Sequence, residues 1–240
     1  MLDADEVHVW TANLSLPMTR VHSFYALLSE DEKVRCGLFH FEKDRDAYII
    51  ARGTLRSLLG HYLERPAASV EIGLGEHGKP ALVGGELDFN LSHSRGIGLF
   101  AFARGRDIGV DVEWMNPRVD IASLAKRFFS AWEYTQFTSV PGVSKSQAFY
   151  NAWTRKEAFI KALGEGLSYP LDAFDVSLHP DQEARLVRIE GCNQKAVQWT
   201  LRAISPFPEY AGAVVALGRD WRLSYFTPGN TDQVAICSLA

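Results

Sequence analysis

Ile97-Gly-Leu-Phe-Ala-Phe102, Arg104-Gly-Arg-Asp107 and Ile108-Gly-Val-Asp-Val-Glu-Trp114 read in succession as a strand, a turn and a second strand. Upstream of this centre, Leu87-Asp-Phe-Asn-Leu91 is a further strand, and Gly73 to Gly85, with five glycines and Pro80, reads as a loop. Ser29 to Leu63 is helix-like, with Ser29 as N-cap and Glu32 completing a capping box. Val7-His-Val-Trp10 opens the chain as a short strand. Downstream come helices over Ile121–Phe129 and Phe149–Leu163, then strands over Ala173–Leu178, Trp199–Ala203 and Ala211–Leu217. Helices and strands thus recur in a similar order on both sides of Gly105. The expectation is an α+β chain of two halves, 1–105 and 106–240.

The chain has 240 residues, 47% hydrophobic and 22% charged, which is the mix of a globular protein able to bury a core without disulfides or a structural metal. Twenty-five Lys and Arg against 29 Asp and Glu leave a net charge of −4 and no global basic field, so nucleic acid is not an expected partner. Cys36, Cys192 and Cys237 are widely spaced with no CxxC, against a zinc site or disulfide scaffold. The first residues, Met-Leu-Asp-Ala-Asp-Glu, are acidic where a signal peptide is basic, and no run of eighteen apolar residues occurs. These features point to a soluble cytoplasmic protein with no membrane partner.

Four segments carry candidate chemistry. In Ile108–Trp114, period two places Ile108, Val110, Val112 and Trp114 on one face and Gly109, Asp111 and Glu113 on the other. Two carboxylates at i and i+2 can converge on one cation, or simply form the solvated face of an antiparallel strand. In the second segment, Phe149, Trp153, Phe159, Ile160 and Leu163 fill one helical arc, with Glu157 and Lys161 at its border as an i,i+4 pair. An ordinary surface ion pair would look the same. Mg²⁺ takes one or two carboxylates together with substrate phosphates, so Asp111, Glu113 and Glu157 could hold one and Lys161 could face the same phosphates.

The third segment, Gly73-Leu-Gly-Glu-His-Gly-Lys-Pro80, matches GxxxxGK, but Pro80 stands where a P-loop needs Ser or Thr and supplies no amide. Lys79 could still meet a phosphate as a point charge, or be a solvated loop lysine. The fourth, Phe89-Asn-Leu-Ser-His-Ser94, offers the hydroxyl of Ser92 and the imidazole of His93 as donors to phosphate. A structural histidine is the alternative, and no GxSxG elbow supports a serine hydrolase.

Taken in order, Gly78-Lys-Pro80, Phe89–Ser94, Ile108–Glu113 and Trp153-Thr-Arg-Lys-Glu-Ala-Phe-Ile-Lys161 resemble the 4′-phosphopantetheinyl transferases of the Sfp type, over roughly Glu32 to Leu171. The resemblance implies a pseudo-dimer of two similar α+β halves, each a small antiparallel sheet packed with helices, sufficient as a monomer. It implies transfer of the phosphopantetheine arm of coenzyme A to a serine of an acyl or peptidyl carrier protein, with release of adenosine 3′,5′-bisphosphate. By position, Asp111, Glu113 and Glu157 correspond to Mg²⁺ ligands, Glu157 to the base acting on the carrier serine, and Lys161 to the residue stabilising phosphate charge. Lys79, Ser92 and His93 correspond to coenzyme A contacts, and Arg35 to a basic residue for the 3′-phosphate. Carriers of this class are acidic around the modified serine. The stretch Arg118–Thr138, with Lys126 and Arg127 beside Phe128, Phe129 and Trp132, is therefore either a docking surface or a core helix with a solvated face. Two further functions share these residues: a Mg²⁺-dependent phosphohydrolase of a nucleotide or pyrophosphate, and a non-catalytic carrier-binding module.

Overall fold

The structure, a computed structural model, describes residues 2–75, 77–189 and 196–226. The N-terminal part runs β1 (Glu6–Asn13), α1 (Met18–Tyr25), α2 (Glu30–Cys36), α3 (Glu42–Leu63), a hairpin of β2 (Ile72–Leu74) and β3 (Pro80–Leu82), then β4 (Asp88–Ser94) and β5 (Ile97–Ala103). The C-terminal part runs β6 (Ile108–Trp114), α4 (Ile121–Phe128), α5 (Ala131–Ser139), α6 (Lys145–Leu163), β7 (Phe174–Val176), β8 (Leu186–Ile189), β9 (Trp199–Ile204), β10 (Tyr210–Leu217) and β11 (Arg222–Phe226). The architecture is mixed α+β, built on small, mainly antiparallel sheets. One sheet has the order β11-β1-β5-β4, with β11 parallel to β1 and the other pairs antiparallel. A second has the order β6-β10-β9, all antiparallel. Strand β11 lies last among the described residues and completes the first sheet.

Period two explains how the two sheets share the protein interior. In β5, Leu99, Ala101 and Ala103 enter a central core together with Ile108, Val110 and Val112 of β6. Phe100 and Phe102, on the opposite face of β5, pack with α1 and α3 instead. In β10, Val214 and Ala216 face the central core while Ala213 and Val215 face α6. Strands buried on both faces therefore read as continuous apolar runs. The layers are helices, sheet, sheet and helices, with a core between each pair.

Helix boundaries follow local chemistry. The stretch expected as one helix from Ser29 to Leu63 is two, because α2 ends at Gly37 and α3 starts only after Phe41. The Gly73–Gly85 stretch, expected as loop, contains the β2–β3 hairpin, in which Gly73 opposes Ala81 across a turn with Gly78 at φ +80°. Helix α5, which the apolar pattern does not reveal, starts with a capping box in which the Ser130 N–H donates to Glu133 at 3.0 Å. Helix α6 ends at Gly164, at φ +76°. Cys36 is a buried free thiol, and Cys192 and Cys237 lie outside the described residues. Among the described residues no helix is long and apolar enough to cross a membrane.

Glu32 fixes α2 against α3. Its carboxylate accepts the Ser29 N–H at 3.0 Å and is shared by Arg52 and Arg56 of α3. Burial alone would raise this carboxyl, but the two guanidinium charges and the Ser29 amide prevail and hold it below the ordinary value of 4.5. Its stabilising contribution is then complete above the unfolded pKa and is lost as pH falls through the folded one. Urea unfolding near pH 7 is expected to show Glu32→Gln destabilised by about 3–5 kcal/mol. The gap from wild type should close in acid, where Glu32 is itself neutral; a gap that persists to about pH 2 would refute the ion-pair account.

Candidate active site

Gly109 sets the geometry of the site. A Cβ placed there would lie 2.0 Å from the Ala158 carbonyl oxygen and 2.4 Å from the Ala162 amide, both backbone atoms of α6. Only a glycine lets β6 approach the helix so closely, and Ala158 and Ala162, one turn apart, keep the facing helix surface smooth. This contact carries Asp111 of β6 to Lys161 of α6, whose ammonium donates to Asp111 Oδ1 at 2.6 Å and to Ser92 Oγ at 2.9 Å.

The opposite flank is a seam between two sheet edges. Strands β4 and β6 are edge strands of different sheets, and polar side chains at alternate positions of β4 join them. The Asn90 side chain accepts the Val110 N–H at 2.9 Å. Ser92 donates to Asp111 Oδ1 at 2.7 Å, and Ser94 donates to Glu113 Oε2 at 2.8 Å while accepting the Trp114 N–H at 3.1 Å. Asn90 and Ser94 escaped the sequence reading. The signal for them is the polar period-two series Asn90, Ser92, Ser94, which alternates with Phe89 and Leu91 along β4.

Residues of both the N-terminal and the C-terminal part line a cleft of about 970 Å³, at the upper end of the range for small-molecule sites. Arg35, Ser92, His93, Asp111, Glu113, Glu157 and Lys161 all line it, so seven of the eight expected site residues come together. Lys79 does not line it, although its neighbours Gly78 and Pro80 do. Its ammonium donates instead to the carbonyls of Ile108 at 2.9 Å and Ala162 at 3.2 Å, clipping the hairpin to the start of β6 and the C-terminal end of α6. Arg35 is exposed at the cleft edge, with its guanidinium 5.7 Å from the Tyr48 ring. Phe128, Trp153 and Leu171 form an apolar wall.

The electrostatics are those of crowded carboxylates. Asp111 is 3% exposed, so a solvated acidic face is excluded at that position. Burial, reinforced by the Asp111 charge, raises Glu157 to about 7 despite the nearby Lys161 ammonium. Burial also raises Glu113, with Asp111 adding to the shift. His93 is lowered by the protein mass around it and by Lys161, although its side chain still reaches solvent. While Asp111 Oδ1 holds two hydrogen bonds, Asp111 Oδ2 is buried without a partner. Among the described residues no three acidic, His or Cys side chains, as they are placed here, could hold a metal ion together. An unpartnered buried oxygen beside two carboxylates of raised pKa nevertheless suits a hard divalent cation with open positions for phosphate.

A family model described as the 4′-phosphopantetheinyl transferase superfamily matches residues 107–217, and one described as 4′-phosphopantetheinyl transferase, N-terminal, matches residues 17–101. The chain is 36% identical over 227 residues to the 4′-phosphopantetheinyl transferase HetI of Nostoc sp., covering 93% of this chain and 92% of that protein. It is 31% identical over 164 residues to the 4′-phosphopantetheinyl transferase Sfp of Bacillus subtilis, covering 68% of this chain and 72% of that protein.

Gly109→Ala is expected to cost about 1–3 kcal/mol in chemical denaturation, because the clash is with backbone and no side chain can swing away. Unchanged stability would show that β6 and α6 can part freely and that the glycine is not what sets their distance.

Proposed function

The chain belongs to the 4′-phosphopantetheinyl transferase superfamily, and from that premise we propose that the cleft binds coenzyme A and presents its pyrophosphate to a carrier-protein serine in a Mg²⁺-dependent reaction. The observation that carries this reading is the convergence of Asp111, Glu113, Glu157 and Lys161, from two elements, on one cleft. Asp111, Glu113 and Glu157 would hold the cation, with Asp111 Oδ2 the oxygen that lacks a partner in its absence. When bound, Mg²⁺ neutralises pyrophosphate charge and makes the phosphorus more electrophilic.

The protein's own groups supply the rest. Glu157, lining the cleft one helical turn from Lys161, removes the proton of the carrier serine, directly or through one water. The serine oxygen forms a bond to the phosphorus bearing the pantetheine arm as the bond from that phosphorus to the bridging oxygen breaks. Adenosine 3′,5′-bisphosphate then leaves with the electron pair. Lys161, held by Asp111 and Ser92, is poised to stabilise the charge that develops on the phosphates. Arg35, at the cleft edge, and His93 are suited to the 3′-phosphate and the diphosphate. For Lys79 a phosphate role would require release from two carbonyls, so we assign it to holding the cleft wall.

The carrier would meet α4 and the start of α5. Lys126 and Arg127 are exposed in the last turn of α4, Trp132 is exposed at the start of α5, and Phe128 between them lines the cleft. An acidic partner would be steered to this rim. The two halves, divided at 105/106, would act as one monomeric enzyme in the cytoplasm.

Intact-mass spectrometry of an apo carrier protein incubated with the enzyme, coenzyme A and Mg²⁺ is expected to show the gain of one phosphopantetheine arm. EDTA should abolish the gain, and Glu157→Gln should slow it by about 10²–10⁴-fold. No gain on acyl or peptidyl carriers from a folded protein that binds coenzyme A would overturn the reading; phosphate release without a carrier would indicate a hydrolase. Lys126→Glu with Arg127→Glu should raise KM for the carrier about tenfold and leave KM for coenzyme A unchanged. Unchanged carrier kinetics would remove the docking role.

A further inference from the structure

Lys156 precedes Glu157 on α6 and points away from the cleft, with 1% of its surface exposed. Its ammonium pairs with Glu133 Oε2 at 2.8 Å and donates to the carbonyls of Leu171 at 2.6 Å and Phe174 at 2.7 Å, so all three of its donors are used. Glu133, completely buried, also accepts the N–H groups of Ser130 at 3.0 Å and Val176 at 2.8 Å. One ion pair therefore ties α6 to the first turn of α5, to the 171–174 segment and to β7. Leu171 is a residue of the cleft wall, and Phe128, another, stands two positions before Ser130.

A buried pair of this kind is often matched or exceeded in stability by apolar residues of similar volume. What apolar residues would not supply is direction. The face that α6 turns to β6 is a smooth contact of Ala158 and Ala162 against Gly109, which sets distance. Rotation about the helix axis is left to directed polar bonds: Lys161 to Asp111 and Ser92 on the cleft side, and Arg155 to Ser177 together with Lys156 to Glu133 on the far side. Side-chain ends lie roughly 5–6 Å from that axis, so a turn of about 10° displaces a carboxylate by roughly 1 Å. A displacement of that size can cost about 10²-fold in rate.

We propose that the Glu133–Lys156 ion pair is a positioning device for the reaction, locking the rotation of α6 so that Glu157 and Lys161 meet the phosphorus and the serine in register. Neither residue touches substrate; both act through the helix. The proposal rests on the assignment of Glu157 as base.

The double variant Glu133→Gln with Lys156→Met removes both charges and strands neither. It is expected to unfold cooperatively, at a midpoint lowered by the loss of the bonds to the Leu171 and Phe174 carbonyls, with KM for coenzyme A within about twofold of wild type and kcat lowered about 10–100-fold in the folded protein. Should the double variant fail to fold, Glu133→Asp keeps the charge and withdraws it by one methylene. It is expected to show the same split, with kcat about tenfold lower and KM for coenzyme A unchanged. Wild-type kcat in either folded variant would overturn the proposal. So would a loss of activity that merely tracks the unfolded fraction, or one shared equally between kcat and KM. Glu157→Gln assayed alongside separates the two layers: if it retains wild-type kcat, the assignment of the base has failed and the positioning role falls with it. If it is slow while the double variant is not, only the positioning role has failed.

Discussion

At Gly109 a strand and a helix meet backbone to backbone, and the arrangement of the cleft residues depends on that contact. The Ala158 carbonyl occupies space that any side chain at position 109 would need, so β6 and α6 lie as close as such elements can. Asp111 is two residues along the strand, on the same face, and Lys161 is one turn along the helix from Glu157. Their 2.6 Å hydrogen bond follows from the backbone approach. Because the contact is made of small residues, it sets distance, and the polar bonds around it, Lys161 to Asp111 among them, set rotation.

The first fastening is the seam between β4 and β6. Two edge strands from different sheets would ordinarily leave unpaired backbone groups facing one another. Here Asn90, Ser92 and Ser94 fill the gap and bond to Val110, Asp111, Glu113 and Trp114 in sequence. The same side chains that join the two sheets thus orient two of the cleft carboxylates. Ser92 has a double part, since it also accepts from Lys161. Displacement of the seam would therefore be felt at the carboxylates before it was felt in either core.

Much of this was legible in the chain. Strand β6 matches its sequence reading from Ile108 to Trp114, because its alternating apolar positions Ile108, Val110 and Val112 enter the central core. Glu157 and Lys161, at the border of the apolar arc, proved to face the cleft. Sequence patterns say least where tertiary contacts decide the outcome. Lys79 looks like a phosphate lysine in a glycine-rich loop, yet the helix end one layer away offers it two carbonyls that no local pattern reveals. The break between α2 and α3 was hidden because Phe41, Tyr48 and their neighbours continue an apolar pattern across it. Helix α5 was missed because its apolar signal is weak, although Ser130-Ala-Trp-Glu133 spells out its N-terminus.

That second capping box bears on how the cleft is held. Glu32 is the third helical residue of α2 and Glu133 that of α5; each closes a capping box on a serine, each is buried, and each pairs with cations on the long helix that follows. The cation then bonds a backbone carbonyl just beyond the end of that helix: Arg56 to Val70 at 2.8 Å, Lys156 to Leu171 at 2.6 Å. One device, used on each side of the cleft, joins a short capped helix, a long helix and the chain leaving it. This parallel supports the proposed division into two similar halves more directly than element order does, since it repeats residue chemistry at corresponding places. It also gives a physical reason for keeping ionic groups where apolar ones would be as stable. The proposed reaction, with Glu157 and Lys161 aligned on two substrates, would need each wall of the cleft fixed in rotation as well as depth, and an ion pair with several directed hydrogen bonds fixes both.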